Sequence, residues 1–349
     1  MTLTMRALRM HRFGGPEVLG LEEIPVPSAG PRQVLIEVAY CGVCRHDLLT
    51  RAGAFPKIDL PLTLGHQVSG RVAAVGDGVD AFAPGDRVMT MIYTGCGTCA
   101  QCQSGNDALC TGMRATFLGE DYDGGYAQLV VVDVRVTISV PDHVSLAEAA
   151  IATCTLGTAY HALATRGELQ DGQCVVITGA SGGVGLHAIE IARMLGGHVV
   201  GVVSSPEKAE HVRKAGAHDV IVSPQRTFAR ELKGLLGGPA DLVIDVVGAP
   251  TLRESLHAVR PGGRVVVLGN VEGKEVSIPP AYLILKEISL LGTKSCSSGE
   301  MATLLAAVSE GRLHADVSET IPLERGREIH ERMEGGRTNG RLVMEVAGG

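Results

Sequence analysis

Apolar and polar residues alternate in short segments between residue 34 and residue 132. The segments lie at 34–40, 68–75, 86–92 and 126–132, and Gly, Pro and Asp residues separate them. Period-two alternation predicts half-buried β-strands, because successive side chains of a strand point to opposite faces. Regularly spaced short strands with little helix predict an irregular, β-rich N-terminal domain.

The pattern changes near residue 145. Ser145 and Glu148 have the spacing of a capping box, and an Ala-rich stretch follows, so a helix is predicted to begin there. From residue 172 onward, apolar runs alternate with helical patterns, which predicts an α/β fold with a doubly wound parallel sheet. The predicted strands are 175–178, 198–203, 219–222, 241–246, 263–268, 287–292 and 341–346, and the predicted helices are 184–195, 206–215, 227–236, 251–258, 299–310 and 326–335.

Composition narrows the class of protein. A chain of 349 residues is long enough for two domains, and 45% hydrophobic with 20% charged residues is typical of a soluble globular protein. The net charge of −7 argues against nucleic-acid binding, which needs basic patches. We find no apolar signal-peptide core and no apolar run long enough to span a membrane. Nine cysteines then indicate metal ligands and reduced thiols, so we expect a cytoplasmic protein without membrane or nucleic-acid partners.

Four cysteines are concentrated in the segment 95–111, which we call the four-cysteine loop: Cys96, Cys99, Cys102 and Cys110. Their spacing allows one tetrahedral ion to be bound within a single loop, and zinc is the usual ion for four thiolates. A disulfide cluster and an iron–sulfur loop are the alternatives, but the first requires an oxidising compartment and the second usually has another spacing. We therefore expect a structural zinc site without an open coordination position.

A glycine-rich turn lies between the first strand of the predicted parallel sheet and the helix after it. This dinucleotide turn consists of Gly179, Ala180, Ser181, Gly182, Gly183, Val184 and Gly185. The backbone N–H groups of such a turn, with the N-terminus of the following helix, can bind a pyrophosphate. The alternative is a turn that only packs a helix against a sheet.

The end of the second predicted strand bears on the choice between NAD(H) and NADP(H). Ser204 and Ser205 stand there in place of a carboxylate, and Lys208 follows three residues later. A carboxylate would accept from the ribose 2′-hydroxyl and repel a 2′-phosphate, whereas two hydroxyls and a lysine can bind that phosphate. We expect NADP(H), although Glu207 opposes this preference and Ser205 is also a suitable N-cap for the next helix.

A second set of candidate metal ligands comes from three separate segments: Cys44, His66 and Cys154, which we call the three-ligand cluster. Two thiolates and one imidazole can bind zinc and leave a fourth position free for a substrate oxygen. Together with the four-cysteine loop and the dinucleotide turn, this set resembles the zinc-dependent alcohol dehydrogenases of the medium-chain dehydrogenase/reductase superfamily. The resemblance extends from the strands near residue 34 to the closing segment 340–343.

The resemblance implies a two-domain organisation. Residues 1–154 and 295–349 would form a GroES-like β-rich catalytic domain, and residues 155–294 a Rossmann dinucleotide-binding domain. Two zinc ions per chain and a nicotinamide cofactor are implied. Within the superfamily, the dinucleotide turn and the stretch from Gly269 and Asn270 to Gly292 are most similar to the NADPH-using acryloyl-CoA reductase and quinone oxidoreductase branch.

The resemblance also implies roles for individual residues. The three-ligand cluster would bind the catalytic zinc, and Asp47 would accept from the imidazole of His66 and orient it. The remaining implied cofactor contacts are Thr158 at the nicotinamide ring, Val184 behind it and Arg341 at the pyrophosphate.

Two positions depart from the family pattern. Gln67 stands where the family usually has a glutamate, so the net charge of the predicted metal site is more positive by one. His46 stands where the family usually has Ser or Thr, and Leu49 replaces the histidine that ends the proton relay in some members. A histidine side chain can accept and release a proton, so His46 can take the substrate proton in a shortened relay; the alternative is a residue that only lines the pocket.

The expected function is therefore NADP(H)-linked interconversion of an alcohol and an aldehyde or ketone. Conjugate reduction of an activated C=C bond is the alternative, although relatives with that activity commonly lack the catalytic zinc ligands. A non-catalytic cofactor-binding protein is the third hypothesis. The expected partner is a small-molecule alcohol or carbonyl compound, and the resemblance implies a homodimer or homotetramer formed through an edge strand within residues 276–292.

Overall fold

The computed structural model describes residues 3–55, 57–338 and 340–347, and residues 1, 2, 56, 339, 348 and 349 lie outside the described residues. The chain forms two compact units. The first unit comprises Met1–Cys154 and Ser297–Gly349, and the second comprises Thr155–Cys296. Among the described residues, no helix combines the length and the apolar character needed to cross a membrane.

The described residues contain 18 strands. They are β1 (Thr4–Met10), β2 (Leu19–Pro25), β3 (Gln33–Val43), β4 (Leu62–Thr63), β5 (Gln67–Val75), β6 (Arg87–Thr90), β7 (Tyr93–Thr94), β8 (Thr116–Phe117), β9 (Leu129–Asp133), β10 (Thr137–Ser139), β11 (Cys174–Thr178), β12 (His198–Val203), β13 (Asp219–Val222), β14 (Ala240–Asp245), β15 (Val259–Val267), β16 (Ser289–Gly292), β17 (Val317–Pro322) and β18 (Arg341–Glu345).

The described residues also contain 11 α-helices. They are α1 (Arg45–Arg51), α2 (Ala100–Gln103), α3 (Leu146–Ala152), α4 (Thr158–Tyr160), α5 (Gly183–Met194), α6 (Pro206–Lys214), α7 (Ala229–Leu236), α8 (Leu252–Ala258), α9 (Pro280–Lys286), α10 (Ser298–Ser309) and α11 (Gly326–Glu334). Two π-helical segments, Thr153–Gly157 and His161–Arg166, flank α4. The capping box predicted at Ser145 is confirmed, because its hydroxyl accepts from the backbone N–H of Glu148 at the start of α3.

The sheets of the first unit are mainly antiparallel, and their registers position the candidate ligands. The largest sheet has the order β10-β6-β5-β3-β18-β17, with β9 also paired to β3. Pairing of β3 with β5 places Gly42 opposite Gln67, and pairing of β18 with β3 places Leu342 opposite Val43. The residues that follow β3, precede β5 and begin β18 therefore lie in the same part of this sheet.

The second unit contains the predicted doubly wound sheet, which is confirmed. Its six strands are parallel and lie in the order β13-β12-β11-β14-β15-β16. This is the order 3-2-1-4-5-6 of dinucleotide-binding folds, in which the ligand lies beyond the carboxyl ends of the strands. Val176, Val200, Val243 and Val265 are completely buried in the sheet, as near-continuous apolar strands require when helices cover both faces.

One predicted strand differs in a way that matters for the site. The strand predicted at 126–132 begins only at Leu129 in β9, because Tyr126 makes other backbone hydrogen bonds. The Tyr126 N–H donates to the carbonyl of Leu64 at 2.9 Å, and its carbonyl accepts from Leu8 at 2.8 Å. Tyr126 thus joins two separate parts of the first unit instead of extending β9.

Candidate functional site

The structure brings the three-ligand cluster together. Cys44 follows β3 and caps α1, His66 precedes β5, and Cys154 lies in the π-helical segment Thr153–Gly157. Their ligand atoms lie within 4.8 Å of one another, and Cys44 Sγ is 3.3 Å from His66 Nε2. Single π-turns often occur at functional sites, where they shift the position of one side chain. Two sulfurs and one nitrogen therefore converge on one point.

Gly65 permits the close approach of His66 to the rest of the site. Its φ of +100° lies in the left-handed region, which is strained for residues with a side chain. A Cβ atom on Gly65 would also lie 2.4 Å from the ring of Tyr126 and 2.8 Å from Cys41 Sγ. Only glycine meets both requirements at the residue before the imidazole ligand.

Asp47 connects two members of the cluster. Its Oδ2 accepts from the backbone N–H of Cys44 at 2.8 Å, and its Oδ1 accepts from His66 Nδ1 at 2.9 Å. The Cys44 sulfur in turn accepts from the backbone N–H of His46 at 3.2 Å, so a capping box starts α1 at this point. The same carboxylate thus fixes the helix end and directs His66 Nε2 toward the sulfur atoms.

The protonation states of the cluster fit a divalent cation. A hydrogen bond from Cys154 holds the pKa of Cys44 well below its usual value, and the same bond raises the pKa of Cys154. Burial lowers the pKa of His66, but the charges of Asp47 and Cys44 outweigh it and hold this pKa well above its usual value. A divalent cation among these three ligand atoms would displace their protons, and two thiolates with one imidazole suit zinc.

Two buried polar atoms beside the cluster have no hydrogen-bond partner in the described part of the chain: Gln67 Oε1 and Arg341 Nε. Each such buried group costs about 1–3 kcal/mol unless something pairs with it. The positive charge of Arg341 also acts to lower the pKa values of Cys44 and Cys154. Unsatisfied groups of this kind fit a site that is completed by an ion, a substrate or a cofactor.

The four-cysteine loop also closes around one point. The ligand atoms of Cys96, Cys99, Cys102 and Cys110 lie within 4.8 Å of one another. The sulfur of Cys99 is 3.5 Å from that of Cys102 and 3.9 Å from that of Cys110. Four sulfurs at about 2.3 Å from a tetrahedral zinc are about 3.8 Å apart, whereas a disulfide requires about 2.05 Å. The geometry therefore fits a metal ion and does not fit a disulfide cluster.

The environment of the loop favours thiolates at two of the four positions. Hydrogen bonds from the backbone of Cys102 and of Thr111 lower the pKa of Cys99 to about 5. Hydrogen bonds from Thr98 lower the pKa of Cys96 to about 7. Burial raises the pKa of Cys102 to about 12, so that this thiol needs a cation to ionise at neutral pH.

The dinucleotide turn joins β11 to α5, as the sequence predicts. Gly182 is the N-cap of α5 without a side-chain cap, so the first N–H groups of a 12-residue helix are left for a ligand. A Cβ atom on Gly185 would lie 2.4 Å from the carbonyl oxygen of Gly179, so glycine is required there for close packing of the helix on the turn. Ala180 is fully buried, and its N–H donates to the carbonyl of Val202 at 3.2 Å. Ser181 lies in the dinucleotide turn before α5, and Val184 lies in the first turn of that helix.

Comparisons with known proteins agree with this arrangement of sites. Residues 30–142 match the alcohol dehydrogenase GroES-like domain, and residues 183–310 match the zinc-binding dehydrogenase domain. The alcohol dehydrogenase of Geobacillus stearothermophilus is 33% identical over 98% of this chain and 100% of its own length. The chain belongs to the zinc-dependent alcohol dehydrogenases of the medium-chain dehydrogenase/reductase superfamily.

Two other similar proteins refine this assignment. The acryloyl-coenzyme A reductase of Metallosphaera sedula is 37% identical over 89% of this chain and 90% of its own length. The crystal structure of AibC is 38% identical, covers 99% of this chain and 96% of that chain, and superposes with a TM-score of 0.92. This medium-chain dehydrogenase is thus an oxidoreductase with a GroES-like domain and a Rossmann domain, and it resembles the acryloyl-CoA reductase branch. Its family uses zinc and a nicotinamide cofactor.

His46, where this medium-chain dehydrogenase departs from the family pattern, is part of an aromatic stack. Its ring lies between Phe55 and Phe117, with centroid distances of 4.6 and 4.4 Å and interplanar angles of 19° and 20°. Its Nε2 is 2.7 Å from a carboxylate oxygen of Glu120. The sequence analysis did not find Glu120, because it lies 74 positions from His46 and no local pattern marks it. The ring of His46 is therefore held between two aromatic rings and has a carboxylate partner at Nε2.

The polar residues after β12 also lie together. Lys208 Nζ donates to Ser204 Oγ at 3.3 Å. Ser205 occupies the N-cap of α6 but makes no side-chain cap bond. Its hydroxyl instead bonds to Glu207 and lowers the pKa of that carboxyl. Ser204 and Lys208 thus form one polar pair at the end of the second strand of the sheet, and Glu207 is engaged with Ser205.

Two of the remaining predicted cofactor residues, Gly269 and Asn270, have structural contacts of their own. Asn270 accepts from the backbone N–H of Ala249 at 3.4 Å and donates to the carbonyl of Lys274 at 3.0 Å. A Cβ atom on Gly269 would lie 2.4 Å from the carbonyl oxygen of Val246, so this glycine packs on the loop after β14. Thr158 begins α4 in the second unit, and Arg341 begins β18 in the first.

Proposed function

We propose that this chain is a zinc-dependent alcohol dehydrogenase that uses NADP(H) to interconvert an alcohol and an aldehyde or ketone. The observation that carries the proposal is the three-ligand cluster, in which two sulfurs and one imidazole nitrogen lie within 4.8 Å. Three protein ligands leave one position of a tetrahedral zinc open, as in catalytic rather than structural sites. Zinc supplies polarisation of a substrate oxygen, and the nicotinamide supplies or accepts the hydride.

The residues of the chain would hold and shape this site. Cys44 and Cys154 would bind the metal as thiolates, and Asp47 would keep His66 Nε2 directed at it through the bond to Nδ1. His46 and Phe117 would form one wall, which restricts the substrate oxygen to the open position. The partner is then a small alcohol or carbonyl compound. Strand β16 lies at one edge of the six-stranded sheet, and Ile284 and Leu285 of the preceding helix α9 are exposed; both features support a homodimer or homotetramer formed through residues 276–292. We expect the enzyme to be cytoplasmic.

Conjugate reduction is the second candidate function, and one specific observation favours it. The acryloyl-coenzyme A reductase of Metallosphaera sedula is among the relatives with high identity to this chain, at 37%. In that reaction the hydride would go to the β-carbon of an unsaturated thioester. The electron pair of the C=C bond would form an enolate, which then takes up a proton at the α-carbon. The three-ligand cluster is not required to hold a metal for this step.

A substrate and chelator comparison separates the two functions. NADPH consumption is measured with a saturated aldehyde, with the corresponding enal and with acryloyl-CoA, before and after treatment with 1,10-phenanthroline. We expect reduction of the saturated aldehyde, at least about 100-fold loss of that rate on removal of the metal, and recovery with zinc. Reduction of the two C=C substrates alone, without sensitivity to the chelator, would establish the second function instead. Dinucleotide binding without turnover of any substrate would support a non-catalytic protein.

The preference for NADP(H) is tested at Lys208. The change Lys208→Ala is expected to raise the KM for NADPH about 10-fold and leave the KM for NADH nearly unchanged. The reason is that one charged hydrogen bond to a 2′-phosphate contributes on the order of 1.5–3 kcal/mol. Lys214→Ala is the matched control, because Lys214 lies at the other end of α6 and is 4.0 Å from Glu210. Equal effects of Lys208→Ala on both cofactors would count against the preference.

A further inference from the structure

A connected series of buried polar side chains lies behind the three-ligand cluster, on the side of Asp47, and we call this series the hydrogen-bond chain. Asp47, Tyr126, His330 and Arg51 are each at most 1% exposed. The Tyr126 hydroxyl is 3.2 Å from His330 Nε2, and it lies near enough to Asp47 for that carboxylate to raise the pKa of Tyr126. His330 Nδ1 is 3.0 Å from a guanidinium nitrogen of Arg51. The hydrogen-bond chain therefore consists of Arg51, His330, Tyr126 and Asp47, in this order, and all four residues belong to the first unit.

The hydrogen bonds of this chain all point in one direction. Arginine has only donors, so His330 Nδ1 must accept and the proton of the neutral ring must be on Nε2. His330 Nε2 then donates to the Tyr126 oxygen, and the Tyr126 hydroxyl has one proton left to donate to Asp47. Asp47 also accepts from Cys44 N–H and from His66 Nδ1. A carboxylate that accepts from these two N–H groups and faces the Tyr126 hydroxyl has one preferred orientation, and hydrogen bonds in series strengthen one another.

Burial keeps the members of the chain in these protonation states. Burial, together with the charge of Arg51, lowers the pKa of His330 to about 3, so the ring is neutral in ordinary buffers. Burial, together with the charge of Asp47, raises the pKa of Tyr126 well above its usual value, so its hydroxyl keeps its proton.

Arg51 anchors the far end of the chain. Its Nε donates to the carbonyl of Gly14 at 3.1 Å, and it forms an ion pair with Glu334. Asp47 and Arg51 are on α1, whereas His330 and Glu334 are on α11. The hydrogen-bond chain thus connects α1, which Cys44 caps, to α11, and Arg51 and His330 are 279 positions apart in the sequence.

We propose that Tyr126, His330 and Arg51 are positioning residues that hold Asp47 in one orientation and so set how tightly the three-ligand cluster binds a metal ion. The inference rests on the proposed function only in that the cluster must bind a metal. It assigns a role to three residues that touch neither the metal ligands' donor atoms nor a substrate. Their effect on the metal ligands passes through the carboxylate of Asp47. Hydrogen-bond partners of metal-ligating histidines commonly act in this way.

The test compares Tyr126→Phe with Tyr122→Phe, because each change removes only a phenol oxygen. The Tyr122 hydroxyl bonds to Thr94 instead, and burial raises the pKa of Tyr122 to about 12, so the two side chains are chemically similar. The protein is loaded with Co²⁺, and the absorption spectrum and the rate of metal transfer to a chelating dye are measured at each site. Tyr126→Phe is expected to weaken binding at the three-ligand cluster about 10-fold and to shift its spectrum. Tyr122→Phe is expected to change neither.

A second variant tests whether the residues act as one chain. His330→Gln alone is expected to weaken cobalt binding at the cluster, since the donor to Tyr126 loses its fixed direction. In the double variant with Tyr126→Phe, His330→Gln is expected to add less than about 2-fold, because the link to Asp47 is already absent. The four-cysteine loop reports on folding in every variant, since its cobalt content and spectrum should remain as in the wild type.

The outcomes separate this inference from the proposed function. A wild-type protein that binds metal at only the four-cysteine loop would overturn both. Two metals per wild-type chain, with equal affinities and spectra for Tyr126→Phe and Tyr122→Phe, would overturn the positioning role and leave the dehydrogenase intact. Fully additive effects of Tyr126→Phe and His330→Gln would show that the two residues act separately, against the proposed chain.

Discussion

The change Cys44→Ser is expected to remove the metal from the three-ligand cluster and to lower kcat/KM for carbonyl reduction by at least about 10³-fold. A serine hydroxyl does not ionise at neutral pH and is a poor ligand for a metal that prefers thiolates. Loss of several kcal/mol of transition-state stabilisation corresponds to a rate loss of this size. Serine is also a good N-cap, so the start of α1, where Cys44 now accepts from His46 N–H, should persist.

Cys41→Ser is the matched control for this experiment. Cys41 is buried three residues earlier in β3, and its sulfur is 3.8 Å from the carbonyl of Gly42, outside the three-ligand cluster. The control should keep two metals per chain and most of the activity. Metal content by mass spectrometry, kcat/KM and Tm are measured for both variants. Retention of both metals by Cys44→Ser, with unchanged kcat/KM, would show that the cluster is not the metal site.

The change Cys99→Ser should have its largest effect on stability. Only three sulfurs would remain in the four-cysteine loop. A metal ion that binds the folded state but not the unfolded state adds its binding free energy to the free energy of folding. We expect loss of one metal, rapid proteolytic cleavage within residues 95–111, and a decrease in the free energy of unfolding on the order of 4 kcal/mol. The cobalt spectrum of the three-ligand cluster should be retained in the protein that remains folded.

Cys174→Ser serves as the control, because Cys174 begins β11 and belongs to neither metal cluster. It should leave both metals and the protease resistance of the loop unchanged. Cys44→Ser and Cys99→Ser are reciprocal: each of these two variants should lose the metal of its own cluster and keep the other metal. If Cys99→Ser lost no metal, or if its loop stayed as resistant to protease as in Cys174→Ser, the four-cysteine loop would not be a structural metal site.

Features formed by residues close together in the chain could be predicted from the sequence. The ligands of the four-cysteine loop are contained in 15 consecutive residues, so their spacing alone indicates that they can surround one ion. The dinucleotide turn and its βαβ setting are also local, and β12 and β13 have the predicted bounds. The same holds for the parallel sheet, whose apolar strands and intervening helices have different periods.

Other predictions failed or stayed open because distant contacts decide them. The start of β9 was predicted too early, since Tyr126 pairs with Leu8 and Leu64 rather than within a strand. The surroundings of His46 depend on Phe55, Phe117 and Glu120, which come from other parts of the first unit. Whether His46 transfers a proton stays a prediction. The short helix α1 was not predicted either, because its seven residues are stabilised by contacts outside it.

The fold class, the four-cysteine spacing, the dinucleotide turn and the identity of three candidate zinc ligands follow from the order of the residues. That Cys44, His66 and Cys154 meet follows from the folded chain, because the register of β3 with β5 and the π-helical segment place them. The same is true of what lies behind them, since Arg51 and His330 are 279 positions apart. A hydrogen bond between two side chains requires its donor and acceptor atoms to lie about 3 Å apart. Strand register and helix packing set such distances, and no local pattern in the order of the residues encodes them.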